Sequence, residues 1–304
     1  MKALIFIISM LICLPIFTKA QEVSLTGPEA FAARMKATCG TTEEGITRYG
    51  MWEGRAYSRI PGEKDKHLFN LVGVNTRQCV TGMDPVRGKG FKSVSREIMM
   101  YLDPETNEIM DVWTNPWTNE EVPVLHVAND PVNMRGMRYE KNADGTDPYP
   151  FKLREYGAIS FTSDEIPLFY DNPLGSDYQV YVGGAYHAME IFNTAYSTNE
   201  IKDPKINRLS QSNIAWTRVA QWLPWMEMGS KSGIMVFNAT GYSTFDKSEI
   251  WPRLQKIMDD RYPLYNTAPP LTDARPNETS WTVFKKHMES KDKKTVRGKA
   301  FNSH

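Results

Sequence analysis

Short runs of alternating apolar and polar residues follow one another along most of the chain after residue 45, and Gly, Pro, Asp or Asn separates them. Four such runs are TRYGMWEGRAYSRI, HLFNLVGVNTRQCV, FKSVSREIMMYLD and SGIMVFNATGYSTF. Many short strands at this spacing are typical of an antiparallel sheet that closes into a barrel or folds as a sandwich. The pattern therefore predicts a mainly β fold with a barrel-like or sandwich sheet.

Helical periodicity is confined to the two ends of the chain. Residues 28–39 carry an apolar side and begin with Pro28, which suits a first helical turn. Near the other end, Ser248 can cap the segment SEIWPRLQKIMDD, and a shorter helix is expected after Thr279. We therefore expect a single β-rich domain over residues 21–289, with helical additions at its N- and C-terminal ends.

The first twenty residues, MKALIFIISMLICLPIFTKA, have the pattern of a cleaved secretory leader: a lysine near the start, an apolar centre and a small-residue end. The apolar centre is too short to favour a membrane-spanning helix. We expect cleavage near Ala20, export to the periplasm or the medium, and no integral membrane span. Residues 290–304 are predicted to form a basic, flexible tail.

Charge and cysteine content narrow the class of partner. The 36 basic residues balance the 36 acidic ones, so there is no general positive field and we expect no nucleic-acid partner. Cys39 and Cys79 remain after leader cleavage, and an oxidising compartment would permit them to pair. Two buried free thiols are the alternative, since the spacing matches no motif.

The run VPVLHV ends in three residues of chemical interest at an Asp-Pro corner, His126, Asn129 and Asp130. His126 is the best acid–base candidate because an imidazole titrates near neutrality, and Asp130 could orient the ring. Asn129 is a candidate ligand contact. The alternative is structural: His126 bonds a loop carbonyl while Asp130 fixes the turn.

A second candidate region follows the glycine pair 183–184, which predicts either a bulge or the close approach of a ligand. This pair would present His187, as a further catalytic candidate, and Tyr186, as a ligand contact. Accommodation of a curved strand explains the glycines equally well.

Charged residues also lie inside strand patterns: Arg77, the neighbours Arg96 and Glu97, and Arg218. A guanidinium among apolar residues commonly orients a carboxylate, which can belong to a ligand or, as the alternative, to a buried Arg–Glu pair. Trp117 and Trp225 could stack on a ligand, although large core side chains are the other explanation for the tryptophans.

Several motifs are absent from the sequence. It contains no Gly-x-Ser-x-Gly elbow, phosphate-binding loop, G-x-G-x-x-G, H-E-x-x-H or C-x-x-C. We therefore expect no nucleotide cofactor, and the spacing of the histidines and acids matches no metal-site template.

Three longer blocks carry a resemblance to a known family: WTNPWTNEEVPVLHVANDPVN, NIAWTRVAQWLPWMEMGSKSGIMVFNATG and DARPNETSWTVFKKHME. They resemble the DUF1838 family, a group of largely uncharacterised and often exported proteins, and the resemblance runs roughly from Tyr49 to Met288. It implies a shared fold and transfers no catalytic assignment.

Two hypotheses of function follow. The first is an exported, cofactor-independent enzyme that performs acid–base chemistry, as a dehydratase, another lyase or an isomerase, on a small polar molecule or oligosaccharide that can carry a carboxylate. The second is a lipocalin-like carrier that encloses an apolar ligand and does no chemistry. An envelope interaction protein is a third, weaker alternative. Convergence of ionisable groups in one cleft would favour the enzyme.

Overall fold

The computed structural model describes residues 21–170 and 186–301. The predicted leader and the glycine pair 183–184 lie outside the described residues. The strands are β1 (Gln21–Leu25), β2 (Arg48–Arg59), β3 (Lys66–Asp84), β4 (Gly88–Leu102), β5 (Val112–Thr114), β6 (Glu121–Pro123), β7 (Val127–Asn129), β8 (Arg138–Tyr139), β9 (Phe151–Tyr156), β10 (Ile159–Tyr170), β11 (Tyr186–Ser197), β12 (Ser212–Ala220) and β13 (Ile234–Thr244).

One large antiparallel sheet organises the molecule. Its strand order is β1-β9-β10-β11-β12-β13-β2-β3-β4-β7, with β8 on β4, while β5 and β6 form a separate hairpin. This confirms the predicted mainly β, antiparallel architecture. Among the described strands no pairing joins the two edges, β1 and β7, so a closed barrel is not confirmed.

Helices lie at both ends of the chain, as predicted, and one short helix interrupts the strands. They are α1 (Gly27–Cys39), α2 (Thr198–Lys202), α3 (Pro252–Arg261) and α4 (Ser280–Phe301). Pro28 stands in the first turn of α1. The C-terminal helix α3 begins at Pro252, later than expected, because Ser248 belongs to a separate 3₁₀ turn and proline suits a first helical position. Within the described residues, no helix is both long enough and apolar enough to span a bilayer.

The two faces of the sheet have separate cores. On one face Val72, Val74 and Ile98 pack against side chains of α3. On the other face Phe69 and Tyr101 belong to an aromatic cluster that includes residues of α4. Successive side chains of a strand alternate between the two faces of a sheet. On β3 and β4, even-numbered residues such as Val72 and Ile98 therefore pack against α3, and odd-numbered residues such as Phe69 and Tyr101 point to the opposite side. We call this second side the inner face.

Candidate functional site

A cavity of about 270 Å³ lies on the inner face. Strands β2, β3, β4, β7, β11, β12 and β13 supply most of its lining, and α1 and α4 contribute one residue each. The lining residues are Ala37, Arg48, Gly50, Met51, Trp52, Asn75, Arg77, Glu97, Met99, Val127, Asn129, Glu190, Phe192, Thr194, Ser212, Ile214, Trp216, Arg218, Tyr242, Ser243 and Ser280.

Strand register explains why so many polar side chains meet there. Ser212, Ser243, Gly50, Asn75, Glu97 and Asn129 are consecutive cross-strand partners on six neighbouring strands. Partners directly opposite one another point to the same face of a sheet. One row across the inner face is therefore polar from β12 to β7.

Glu97 is the carboxyl group at the centre of the site. Burial raises its pKa, and the negative charge of Glu190 raises it further. A hydrogen bond from Asn75 Nδ2 to Glu97 Oε2, at 3.3 Å, and the charges of Arg77 and Arg218 act in the opposite direction. The net result is a carboxyl group whose pKa lies above its ordinary value while it faces a cavity.

Glu97 and Glu190 lie on strands that are far apart in the sheet. Strands β12, β13, β2 and β3 separate β11, which carries Glu190, from β4, which carries Glu97. In a flat sheet five strand spacings would place them roughly 24 Å apart. Both nevertheless line the same cavity of about 270 Å³, so the sheet curls and brings β4 and β11 to face each other across it.

Arg218 is fixed beside Glu190. The two residues are cross-strand partners, and Arg218 Nη1 lies 3.1 Å from Glu190 Oε1. Arg218 Nη2 donates to Tyr186 Oη at 2.6 Å. Burial alone would lower the pKa of Arg218, but the interactions with Tyr186 and Glu190 outweigh it and hold this pKa above the ordinary value. This guanidinium therefore stays charged.

Arg48 and Arg77 are cross-strand partners at the other end of the cavity. Arg48 Nη2 donates to the hydroxyl oxygens of Ser212 and Ser243. Arg77 Nε donates to Asn75 Oδ1 at 2.8 Å. Burial lowers the pKa of Arg48 to about 10, and the neighbouring charge of Arg77 contributes. Two like charges thus stand side by side in this part of the site.

Helix α1 covers this end of the cavity and is held there at three points. Arg77 Nη1 donates to the carbonyl oxygen of Thr38, at 3.0 Å, in the last turn of α1 where the helix dipole is negative. Lys36 Nζ donates to the carbonyl oxygen of Asp203 at 2.8 Å. Cys39 and Cys79 lie at disulfide distance, with Cα atoms 5.8 Å apart, as predicted from their place in the mature chain.

An aromatic surface forms another part of the lining. Trp52 lies over Gly73: a Cβ atom at position 73 would come within 2.4 Å of Trp52 Cζ2. Only glycine leaves room for the indole ring there. Phe192 and Trp216 stack on neighbouring strands with ring centroids 6.5 Å apart. The cavity therefore combines charged groups with flat apolar surfaces.

Four of the residues singled out in the sequence line this cavity: Arg77, Glu97, Asn129 and Arg218. Tyr186 adjoins it through its contact with Arg218. In the portion of the chain that is described, no group of three His, Cys, Asp or Glu side chains is arranged to hold a metal ion.

His126 and Asp130 lie outside the cavity lining and do not pair with each other. His126 Nδ1 accepts from the backbone N–H of Tyr101 at 3.1 Å, and its Nε2 lies 3.8 Å from Asp111 Oδ1. Burial lowers the pKa of His126 to about 4, although Asp111 acts in the opposite direction. Asp130 instead accepts from Arg96 Nε at 2.8 Å and from Arg275 Nη2 at 2.9 Å. The structure therefore does not place Asp130 where it could orient the His126 ring.

The remaining predicted residues also lie away from the lining. Arg96 Nη1 donates to the carbonyl oxygens of residues 264 and 267, so its guanidinium holds the segment that follows α3. His187 is exposed, and its backbone N–H donates to Gln221 Oε1 at 3.3 Å. Trp225 packs in the aromatic core between Phe69 and Trp113. Trp117 donates from Nε1 to Glu63 Oε2 at 2.9 Å.

Sequence reasoning did not select Arg48, Trp52 or Asn75. The signal that could have found them is parity: Arg48, Gly50 and Trp52 occupy alternate positions of one strand, as Asn75 and Arg77 do on the next. Polar residues on the inner parity of adjacent strands indicate one shared site.

The sequence matches the profile of a known family. Among curated proteins, none matches this chain. The profile of a family described as a protein of unknown function, DUF1838, matches residues 45–288. That region contains every strand from β2 to β13 and all the ionisable residues that line the cavity. The chain therefore belongs to the DUF1838 family.

Proposed function

We propose that this protein is an exported, cofactor-independent enzyme that moves protons on a small polar molecule held in the cavity, with Glu97 as the acid–base group. The observation that carries the proposal is a carboxyl group of raised pKa facing a cavity among fixed guanidinium groups. A raised pKa brings a carboxyl group closer to neutrality, where an acid–base catalyst works best.

The chemistry that fits is proton abstraction next to a carbonyl or carboxylate group. The Glu97 carboxylate takes the proton from carbon, and the bonding electrons move onto the substrate oxygen as an enolate. Arg77 and Arg218, whose charges both act on Glu97, would stabilise that negative charge. Protonated Glu97 then gives the proton to a leaving hydroxyl, which departs as water, or to another carbon, which completes an isomerisation.

Cavity size supports a small substrate. Ligand sites for drug-sized molecules have volumes of about 300–1,000 Å³, and this cavity, at about 270 Å³, is slightly smaller. A single small molecule therefore suits it better than an oligosaccharide. Export is supported by the leader pattern of residues 1–20 and by the disulfide distance between Cys39 and Cys79.

A carrier without chemistry is the competing proposal, and the aromatic part of the lining favours it. Trp52, Phe192 and Trp216 could enclose an apolar ligand on the inner face of the curled sheet, as a lipocalin-like carrier would. That proposal leaves the charged row at Glu97 without a role. Binding without turnover would support the carrier.

The test is deuterium incorporation. The purified chain is incubated in heavy water with pooled hydroxy acids, keto acids and uronates, and carbon-bound deuterium is followed by NMR. We expect exchange with at least one compound and a loss of about 100-fold or more in Glu97→Gln. Glu53→Gln is the matched control, because Glu53 is an exposed carboxylate on the same sheet. Full exchange in Glu97→Gln would refute the assignment.

A further inference from the structure

The Arg48 and Arg77 pair differs from Arg96 and Arg218, the other arginines that the sequence pattern places inside strands. Arg218 is paired with Glu190 and Arg96 with Asp130, each by an ion pair of about 3 Å. Among the side chains that the structure describes, in residues 21–168 and 186–291, no carboxylate oxygen lies within 4.0 Å of the guanidinium of Arg48 or Arg77. Their hydrogen-bond partners are neutral oxygens of serine, asparagine and the backbone.

Burial makes the absence of a direct ion pair significant. Arg48 retains only 7% of its exposure. A charge removed from water is normally paired with an opposite charge, because an unpaired buried charge is strongly unfavourable. Here a second positive charge stands on the opposite strand. Glu97 acts on Arg77 from beyond ion-pair distance, but burial outweighs it and the pKa of Arg77 stays below its ordinary value. An anion bound between the two guanidinium groups would relieve their mutual repulsion.

The two guanidinium groups are also held in place before any ligand enters. Serine hydroxyls on β12 and β13 fix Arg48, while Asn75 and the carbonyl of Thr38 fix Arg77. Donors fixed in advance lose little side-chain freedom on binding, and guanidinium groups suit the planar or tetrahedral oxygens of carboxylate and phosphate.

We propose that Arg48 and Arg77 form a binding site for an oxyanion, namely a carboxylate or phosphate group of the ligand. The ligand then has its anionic group at this end and a flat apolar part at Trp52. About 13 Å of β2 separates the two positions, and Gly50, midway, adds no side chain. Glu97 lies in the same cross-strand row as Gly50, so the reacting carbon lies between the two ends.

This assignment rests on the proposed function only in placing the same ligand beside Glu97, and binding can be measured without turnover. The purified chain is titrated with benzoate, phenyl phosphate and the neutral benzyl alcohol at constant ionic strength, and tryptophan fluorescence reports binding. We expect at least one of the two anions to bind about tenfold or more tightly than benzyl alcohol. Tighter binding of benzoate identifies a carboxylate-binding site, and tighter binding of phenyl phosphate identifies a phosphate-binding site.

Variants then locate the anion. Arg48→Gln and Arg77→Gln should each weaken binding of the preferred anion by about 10- to 100-fold. Arg48→Lys, which keeps the charge, should retain more affinity than Arg48→Gln. Arg55→Gln is the matched control, since Arg55 is an exposed arginine of β2. Circular dichroism confirms that each variant is folded.

Three results would overturn the proposal: neither anion binds, benzyl alcohol binds as tightly as the anions, or folded Arg48→Gln and Arg77→Gln both keep the original affinity. The titration is repeated in Glu97→Gln. If anions bind to Glu97→Gln and to the original chain while no deuterium exchange occurs, the catalytic proposal fails and the anion-binding proposal is supported. Exchange that depends on Glu97 without selective anion binding gives the opposite outcome.

Discussion

Replacing both Cys39 and Cys79 by alanine is expected to lower the free energy of unfolding by about 4 kcal/mol. The two residues are 40 positions apart in the chain. A cross-link that closes a loop of this length removes about 13 cal/mol/K of entropy from the unfolded chain, which is about 4 kcal/mol at 25 °C. A native protein is stable by only about 5–15 kcal/mol in total. The loss is therefore a large fraction of the total.

The native position of α1 should survive this change, because Lys36 and Arg77 also fix the helix through the carbonyl oxygens that they contact. The destabilisation therefore acts mainly through the unfolded chain. Urea unfolding, followed by circular dichroism, is compared for the oxidised chain, the reduced chain and the double alanine variant. Benzoate titration is added as a readout of the cavity.

A fall of less than about 1 kcal/mol in both the reduced chain and the alanine variant would contradict the entropic argument. A fall of the expected size with unchanged ligand affinity would support it. If affinity falls together with stability, the bond also positions α1 over the cavity, and the other two contacts are insufficient to hold the helix.

Three further predictions concern single residues. Burial and the charge of Glu190 raise the pKa of Glu97, so ionisation of Glu97 destabilises the fold as pH rises from the unfolded-state pKa through the folded-state pKa. Glu97→Gln should therefore be more stable than the original chain at pH 8 and should lose that advantage at pH 4. Urea unfolding at both pH values measures the difference. Burial lowers the pKa of His126 to about 4, so the stability that the neutral ring contributes above about pH 6.5 should be lost as pH falls towards 4. An NMR titration of His126 with a midpoint near 6.5 would contradict this argument. Gly73→Ala should displace Trp52 and destabilise the fold by about 1–3 kcal/mol, measured by unfolding and tryptophan fluorescence. Gly136→Ala, where a Cβ would meet nothing within 4 Å, is the control and should change stability by less than about 0.5 kcal/mol.

The strands and their faces were predictable from local pattern, whereas the curl of the sheet was not. Alternation along β3 assigns Val72 and Val74 to one face, and Asn75 and Arg77 to the opposite face, without any structure. The approach of Glu97 to Glu190 depends on the register of six strands and on the accumulated twist. No local pattern contains that information.

The sequence prediction placed in one site residues that the structure puts on the two faces of one strand. Asn129 points to the cavity, so the residues immediately before and after it, Ala128 and Asp130, belong to the other face. Asp130 accordingly pairs with Arg96, which has the outer parity on β4, while Glu97 has the inner one. His126 drew attention through its ordinary pKa, but burial beside Tyr101 removes that property.

The inner face departs from what folding alone would select, and the departures are concentrated in one place. The rows nearest the aromatic core carry residues such as Phe69 and Tyr101, which stabilise the fold by burial. The adjoining rows carry two adjacent guanidinium groups that form no direct ion pair and a carboxyl group of raised pKa, and such charged groups are unfavourable when buried. Groups that destabilise a fold and converge on one cavity are expected where a ligand supplies the missing interactions. An anion at Arg48 and Arg77 would supply them, so ligand binding and thermal stabilisation should rise together.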